Sequence, residues 1–319
     1  MTQTSFSYLR LSLTDRCNFN CFYCRPSSRA SFLTPKELLT FLELLSLVKI
    51  LTSFGLKHLR LTGGEPLLRE GFRAFMKDLS ASSAVERLSL TTNGYYLASF
   101  LEDFKSSGGE GINISLNTLK REKFRKWTGV DAFFQICDNI LKAKQAGIRN
   151  IKLNTILLKG FNDDEIEDFI RFACSHQLDI RFIEYFPTQP EEDASGAYFL
   201  PSCSVKNAIE EKYGPLDPLG RDPLAGPANY FKIRGHANRI GFINTVTDFF
   251  CGDCNRLRLT ADGKLYVCLH SDFYVDLKKP LREKDQQGLL RAITQALENK
   301  KFYNKLHCSR SFEMSSIGG

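Results

Sequence analysis

No uninterrupted apolar run approaches the roughly 20 residues that a membrane-crossing helix needs. The longest apolar-rich stretch, LLTFLELLSLVKIL over 38–51, is short and carries Glu43 and Lys49. The opening MTQTSFSYLRLSLTDR has no basic region ahead of an apolar core and no small-residue cleavage site, so no secretory signal is read there. Neither G-x4-G-K-[ST] nor G-x-G-x-x-G occurs, which excludes the two common backbone cradles for nucleotide phosphates. There is no repeat at solenoid period, no low-complexity tract and no basic run interleaved with aromatics, so arrays, linkers and nucleic-acid binding find no support. Ten cysteines in 319 residues are too sparse for a secreted disulfide scaffold, which needs roughly 8% in a short chain. A cytoplasmic protein with reduced thiols is expected.

The composition that remains is ordinary for a globular chain, with 43% hydrophobic and 25% charged residues. Forty-three Lys and Arg against 36 Asp and Glu leave +7, a modest excess that suits an anionic small molecule. Six β-type runs, YLRLSL from Tyr8, HLRLT from His58, RLSLTT from Arg87, INISLN from Ile112, IKLNTILL from Ile151 and IRFIEY from Ile180, alternate with helical patterns. The first helix is expected to start at Thr34, with Pro35 at its first position and Glu37 closing a capping box. Strands separated by helices imply right-handed parallel βαβ units. Six of them suggest an α/β fold of the incomplete (β/α)6 TIM-like barrel type, although periodicity does not separate that from an open doubly wound sheet. The composition shifts after Phe186 to Pro-, Gly- and Asp-rich loops around a helix at Ser202 to Lys212. Beyond them come short antiparallel strands between Tyr230 and Leu269, with a hairpin turning at Asp262-Gly263, and a last helix over Lys284 to Glu298. The expected division is a partial barrel over 1–186 and an auxiliary, C-terminal region over 187–319.

The cysteines fall into two triplets and four spares. Cys17, Cys21 and Cys24 form C-x3-C-x2-C just after the first strand, where parallel sheets place their chemistry. Cys251, Cys254 and Cys268 form C-x2-C-x13-C across the expected hairpin. Each triplet is one ligand short of the four that a structural zinc site completes, whereas a 4Fe-4S cluster held by three cysteines leaves one iron open. On spacing alone a zinc site stays open for both, with His270 near enough in sequence to serve the second. Cys137, Cys174, Cys203 and Cys308 have no ligand spacing and read as core or surface thiols.

DRCNFNCFYC, with Tyr23 directly before the third cysteine, resembles the radical S-adenosylmethionine (SAM) superfamily. LTGGEP (Leu61 to Pro66), LTTNG (Leu90 to Gly94) and ISLN (Ile114 to Asn117) extend the resemblance along the strand ends. CGDCNRLRLTADGKLYVCL and the closing Gly318-Gly319 narrow it to the MoaA-type GTP 3',8-cyclases of molybdenum cofactor biosynthesis, over Tyr8 to Gly319. The resemblance implies two 4Fe-4S clusters, on Cys17, Cys21 and Cys24 and on Cys251, Cys254 and Cys268, the second forming a C-terminal auxiliary iron-sulfur segment. The first cluster would chelate SAM, whose reductive cleavage gives a 5'-deoxyadenosyl radical; the second would bind the guanine base. Tyr23, Gly63, Gly64, Glu65, Thr91 and Ser115 match SAM-contacting positions, with Glu65 accepting from the methionyl ammonium. Arg10, Arg60, Lys152, Arg181, Arg256 and Arg258 match GTP-contacting positions, as suits guanidinium pairing with phosphate. Arg10, Arg60 and Arg181 sit within expected strands, where they should point into the lumen or pair with an acid. Arg256 and Arg258, with the inserted tail Gly318-Gly319, carry the catalytic assignment.

The implied reaction converts GTP to 3',8-cyclo-7,8-dihydro-GTP by hydrogen removal at C3' and attack on C8. Implied partners are a flavodoxin- or ferredoxin-like electron donor and a downstream cyclic pyranopterin monophosphate synthase; a homodimer is compatible, and neither membrane nor nucleic acid is expected. Two departures stand out: His58 where the family usually has Lys, which would weaken a phosphate contact or make it pH-dependent, and Asn117 where Asp is frequent. A peptide-maturing radical SAM enzyme is the nearest alternative, although only Cys308 follows Cys268, and a non-enzymatic zinc-binding module is the most distant.

Overall fold

The computed structural model describes residues 6–24, 32–82, 85–187, 196–220, 222, 224, 226–247, 254–303 and 317. Six strands follow the six β-type runs: β1 (Tyr8–Ser12), β2 (His58–Thr62), β3 (Arg87–Thr92), β4 (Gly109–Ser115), β5 (Asn150–Leu157) and β6 (Asp179–Glu184). The largest offset is at β4, whose glycine-containing start, Gly109-Glu110-Gly111, hides the strand from a hydrophobic pattern. Between them run α1 (Phe41–Ser53), α2 (Phe72–Ser82), α3 (Leu101–Ser106), α4 (Arg121–Thr128), α5 (Phe133–Gln145) and α6 (Ile166–His176). The C-terminal part holds α7 (Ser202–Tyr213), β7 (Asp217–Pro218), β8 (Asn229–Lys232), β9 (Arg239–Ile243), β10 (Arg256–Leu259), β11 (Lys264–Tyr266), β12 (Tyr274–Asp276), α8 (Lys278–Arg282) and α9 (Gln286–Tyr303).

All the strands join one sheet in the order β12-β11-β10-β1-β2-β3-β4-β5-β6-β9-β8-β7. The strands from β1 to β6 are parallel throughout. The hairpins expected after Tyr230 form, β8 against β9 and β10 against β11. What the sequence did not suggest is that β9 pairs parallel with β6 and β10 pairs parallel with β1, so the C-terminal part completes both edges of the barrel. A hairpin pattern reports neighbours in the chain, and these two pairings join partners far apart in it. An edge strand left bare offers unpaired N–H and C=O groups, so each addition removes a liability.

The period of 2 in each strand sorts side chains onto two faces. Leu9, Leu11, Leu59, Leu61, Leu88, Leu90, Ile112, Ile114, Leu153, Ile180 and Phe182 are buried in one continuous core that includes the apolar sides of α1, α2, α5 and α6. Fully burying such a side chain contributes about 1.5–3 kcal/mol, so this face fixes the register. The alternate positions are polar: Arg10 and Ser12, Arg60 and Thr62, Ser89 and Thr91, Asn113 and Ser115, Lys152 and Asn154, Arg181, then Arg256 and Arg258. That second face is the lumen.

The first helix starts at Thr40, not at Thr34. Thr40 Oγ accepts from Glu43 N and Glu43 accepts from Thr40 N, a complete capping box. Thr34 N and Oγ also bond Glu37, at 2.8 Å each, but this pair closes an isolated turn. The reason is packing: the apolar stripe Leu44, Leu47, Val48 and Leu51 begins only after Thr40, and a helix is stabilised by the face it buries.

Candidate active site

The loop after β1 is stitched to its neighbours by main-chain bonds. Leu13 N donates to Thr62 O, Gly64 N to Thr14 O and Glu65 N to Arg16 O, all at 2.7–2.8 Å, while Asn20 N reaches Thr128 O at the end of α4. Phe19 anchors the middle of the loop, packed edge-on against Tyr95 and Phe124. Gly64 is required by this approach: a Cβ there would lie 2.2 Å from Arg16 O, and one on Gly63 would lie 2.5 Å from Thr14 O. The glycines thus let the cysteine loop lie against the end of β2.

Above that seam a cavity of about 310 Å3 is lined by Cys17, Cys21, Cys24, Tyr23, Gly63, Gly64, Thr91 and Ser115. Its wall continues through Arg10, Arg60, Arg181, Arg256 and Arg258 to Cys254 and Cys268. The two cysteine groups sit at opposite ends of one strand pair. Cys17 follows the C-terminal end of β1, whereas Cys254 precedes Arg256, which pairs with Tyr8 at the start of β1. The rise of a five-residue strand sets the two ends roughly 16 Å apart.

Among the described residues no three His, Cys, Asp or Glu side chains converge on a point that would hold a single metal ion. The donor set nonetheless fits a multi-iron cluster, whose own sulfides and irons space the protein thiolates apart. Cys17 Sγ accepts from Phe19 N at 3.4 Å and from Asn93 Nδ2 at 3.6 Å, the way a bound thiolate is stabilised. Burial acts to raise the Cys254 thiol, but Arg256 and Lys300 outweigh it and bring it down to about 6, so the ligand form is favoured at neutral pH. Lys300 Nζ donates to Cys254 Sγ at 3.1 Å and to Val267 O at 2.9 Å. Cys137, a spare, is pushed up to about 11 by burial. Cys251, Cys308, Gly318 and Gly319 lie outside the described residues; Ile317 is buried.

The lumen is strongly cationic. Arg258, Arg10 and Arg60 stand on adjacent parallel strands in one register, Arg10 opposite both others. Burial, followed by neighbouring arginines, lowers Arg10 and Arg258, and burial brings Arg60 down to about 10, still charged at neutral pH. Burial acts to raise the Tyr8 phenol, yet Arg60, Arg10, Arg256 and Arg181 together hold it below its ordinary value. Arg181 donates to Tyr230 Oη at 2.6 Å and lies beside Gly241, where a Cβ would meet the Tyr230 ring at 2.9 Å and Arg181 Cγ at 3.2 Å. A second cavity of about 450 Å3 shares Arg60 and Arg181 with the first and adds Lys152, His58, Arg87 and Arg239. Lys152 is therefore placed in the second cavity and not in the first.

Two of the expected positions have partners within the protein. Glu65 is fully buried and does not line the cavity; its carboxylate accepts from Thr92 Oγ1 at 2.8 Å, Asn93 N at 2.7 Å and Leu67 N at 3.1 Å. It ties the turn after β2 to the end of β3, and burial raises it to about 7. His58 is not a pH-dependent phosphate contact: burial and then Arg60 push it down to about 3, and both its ring nitrogens are engaged within the protein. Asn117 accepts from Ile156 N and donates to Tyr23 Oη, holding the aromatic beside the first cysteine group.

The sequence reading missed Asn93 and Lys300. Lys300 had a signal, since it falls in the apolar stripe Leu289, Ile293, Ala296, Leu297 of α9, where a lysine has no solvent to reach.

Comparison with known proteins adds the family. The model of the Radical SAM superfamily matches residues 11–173, and that of Molybdenum Cofactor Synthesis C matches 178–306. The chain is 37% identical over 316 residues to the GTP 3',8-cyclase of Peptoclostridium acidaminophilum, covering 98% of this chain and 95% of that protein. It is 38% identical to the GTP 3',8-cyclase of Moorella thermoacetica, covering 99% of this chain and 98% of that protein. The chain belongs to the GTP 3',8-cyclase family. Among solved structures, Streptococcus suis SuiB bound to S-adenosylmethionine superposes with a TM-score of 0.63 at 13% identity, covering 93% of this chain and 68% of that one. Native anSMEcpe with bound AdoMet and a peptide gives 0.63 at 14%, covering 94% and 84%. These two show the fold, a parallel-rich partial barrel.

Proposed function

We infer that this chain is a radical SAM GTP 3',8-cyclase, forming 3',8-cyclo-7,8-dihydro-GTP in the first step of molybdenum cofactor biosynthesis. The observation that carries this reading is one cavity whose lining runs from Cys17, Cys21 and Cys24 to Cys254 and Cys268 along a wall of arginines, of which Arg60 and Arg181 are buried. Cys17, Cys21 and Cys24 would hold one 4Fe-4S cluster, and Cys251, Cys254 and Cys268 the other. With SAM bound beside it, the first cluster would supply the radical chemistry that takes a hydrogen atom from C3'.

The chain's residues then have distinct tasks. Gly63 and Gly64 keep the cysteine loop against β2, and Tyr23, Thr91 and Ser115 border the SAM end. Arg10, Arg256 and Arg258 border the second cysteine group and balance an anionic nucleotide, while Arg60, Arg181 and Lys152 lead its triphosphate into the second cavity. Holding C3' and C8 in one pose favours the intramolecular bond, since a fixed geometry removes the entropy of encounter. Loss of one hydrogen atom from C3', closure to C8, and uptake of one electron and one proton leave a product isomeric with GTP. The catalytic assignment of Gly318-Gly319, which lie outside the described residues, rests on the resemblance of the tail. A low-potential donor protein of the flavodoxin or ferredoxin class supplies electrons, in a reducing cytoplasm, and a cyclic pyranopterin monophosphate synthase takes the product. Among the described residues no helix is long and apolar enough to cross a membrane.

The test is anaerobic reconstitution followed by turnover. About eight irons per chain are expected, with 5'-deoxyadenosine and a GTP isomer formed together and only when reductant, SAM and GTP are all present. A colourless, zinc-loaded protein without GTP-dependent product rules the reading out. Removing Gly318-Gly319 should leave both clusters and abolish cyclisation; a fully active truncation refutes the role of the tail.

A further inference from the structure

We propose that His58 is a positioning residue, which fixes the Arg60 guanidinium through Ser89 and thereby sets the affinity for the anionic end of the nucleotide. This rests on the cyclase reading above. His58 and Arg60 lie on one face of β2, and Arg60 pairs in register with Ser89 on β3. His58 Nδ1 is 2.9 Å from Leu224 O, and a carbonyl only accepts, so Nδ1 carries the proton. The neutral ring then offers a lone pair at Nε2, 2.7 Å from Ser89 Oγ, which must donate to it. With its hydrogen committed, Ser89 Oγ presents only lone pairs to Arg60, whose Nε donates to it at 3.1 Å.

The direction of the relay is fixed at both ends, because a guanidinium cannot accept and a carbonyl cannot donate. The charge state agrees: burial and the Arg60 charge keep the ring neutral, as Nε2 must be to accept. Tyr8 supports both residues, its ring centroid 4.3 Å from that of His58 and 5.3 Å from Arg60 Cζ. A lysine at 58 would have no acceptor to offer Ser89. The histidine therefore orients the cation beside it.

Steady-state kinetics of the reconstituted full chain tests this. His58→Gln keeps a carbonyl that can accept from Ser89 and should stay within about twofold of the parent in KM for GTP. His58→Asn is too short to reach Ser89, and Ser89→Ala deletes the link; each should raise that KM about tenfold, the scale of one hydrogen bond to a charged group. SAM affinity and iron content should not move, and the Ser89→Ala/His58→Asn pair should be no worse than either single change, since both cut one relay. An unchanged KM in the two disrupting variants overturns the proposal, as does full additivity, or a parallel loss of SAM affinity and iron. If the unaltered enzyme forms no GTP-dependent product, the cyclase reading fails instead, and the two failures are told apart by that control.

Discussion

At the scale of single residues, desolvation of charge in the lumen carries a cost. Lys152 shows it most clearly: burial, then Arg181 and Arg60, push its ammonium down to about 7. The unfolded chain keeps this lysine protonated to about 10.4. Between those values the unfolded state holds a proton that the folded state does not, so this site's contribution to stability rises with pH across the window. A triphosphate beside Lys152 reverses the balance by favouring the charged form. At pH 8, GTP binding should therefore take up protons, read by calorimetry in two buffers of unlike ionisation enthalpy, and Lys152→Met should remove the uptake. Equal uptake in that variant would assign the proton elsewhere. Arg60 behaves differently: brought down to about 10, its guanidinium stays charged at neutral pH.

At the scale of elements, the meeting of the cysteine loop with the turn after β2 holds the first cluster site. Gly64→Ala places a methyl 2.2 Å from Arg16 O and 2.6 Å from its carbonyl carbon, both main-chain atoms that cannot rotate away. Overpacking of that kind costs about 1–3 kcal/mol. The cheaper response is for the loop to lift, so the variant should fold, lose about half its iron and keep the second cluster, with the iron assay and electron paramagnetic resonance as readouts; full iron content would show that the seam is slack. The six barrel strands were legible because Leu and Ile alternate with polar residues in each. The start of α1 was misread because two T-x-x-E patterns lie six residues apart; only Thr40 accepts from its Glu N–H through the hydroxyl, whereas Glu37 N donates to the main-chain oxygen of Thr34, and the packing of Leu44 and Leu47 follows Thr40. Glu65 was assigned by motif to the ligand, yet its bonds to Thr92, Asn93 and Leu67 depend on β3 lying beside the turn. The relay from His58 to Arg60 was illegible for the same reason, since Leu224 and Ser89 are neighbours only in the folded chain.

At the scale of the whole molecule, the chain before and after Phe186 shares one sheet. Leu9 and Leu11 on β1 pair with Leu257 and Leu259 on β10, and Ile180 and Phe182 on β6 pair with Ile240 and Phe242 on β9. Leu257, Leu259, Ile240 and Phe242 are all buried, and together their burial contributes on the order of 8 kcal/mol. That is comparable to the whole net stability of a typical domain, about 5–15 kcal/mol. Residues 1–186 alone would lose this and expose two parallel edges with apolar outer faces, a template for association. The isolated segment should be insoluble or aggregate on sizing, while the full chain should melt in one transition that both halves share. A soluble, sharply melting 1–186 would show that the barrel closes without β9 and β10. The shared sheet also explains the placement of the second cysteine group: Cys254 reaches the lumen because β10 is a barrel strand, and its position is set by β1, the strand that leads into Cys17, Cys21 and Cys24. One strand pair therefore fixes the distance between the two cysteine groups, and a change that shifts the register of β1 against β10 should uncouple SAM cleavage from cyclisation while leaving each cysteine group able to take up iron.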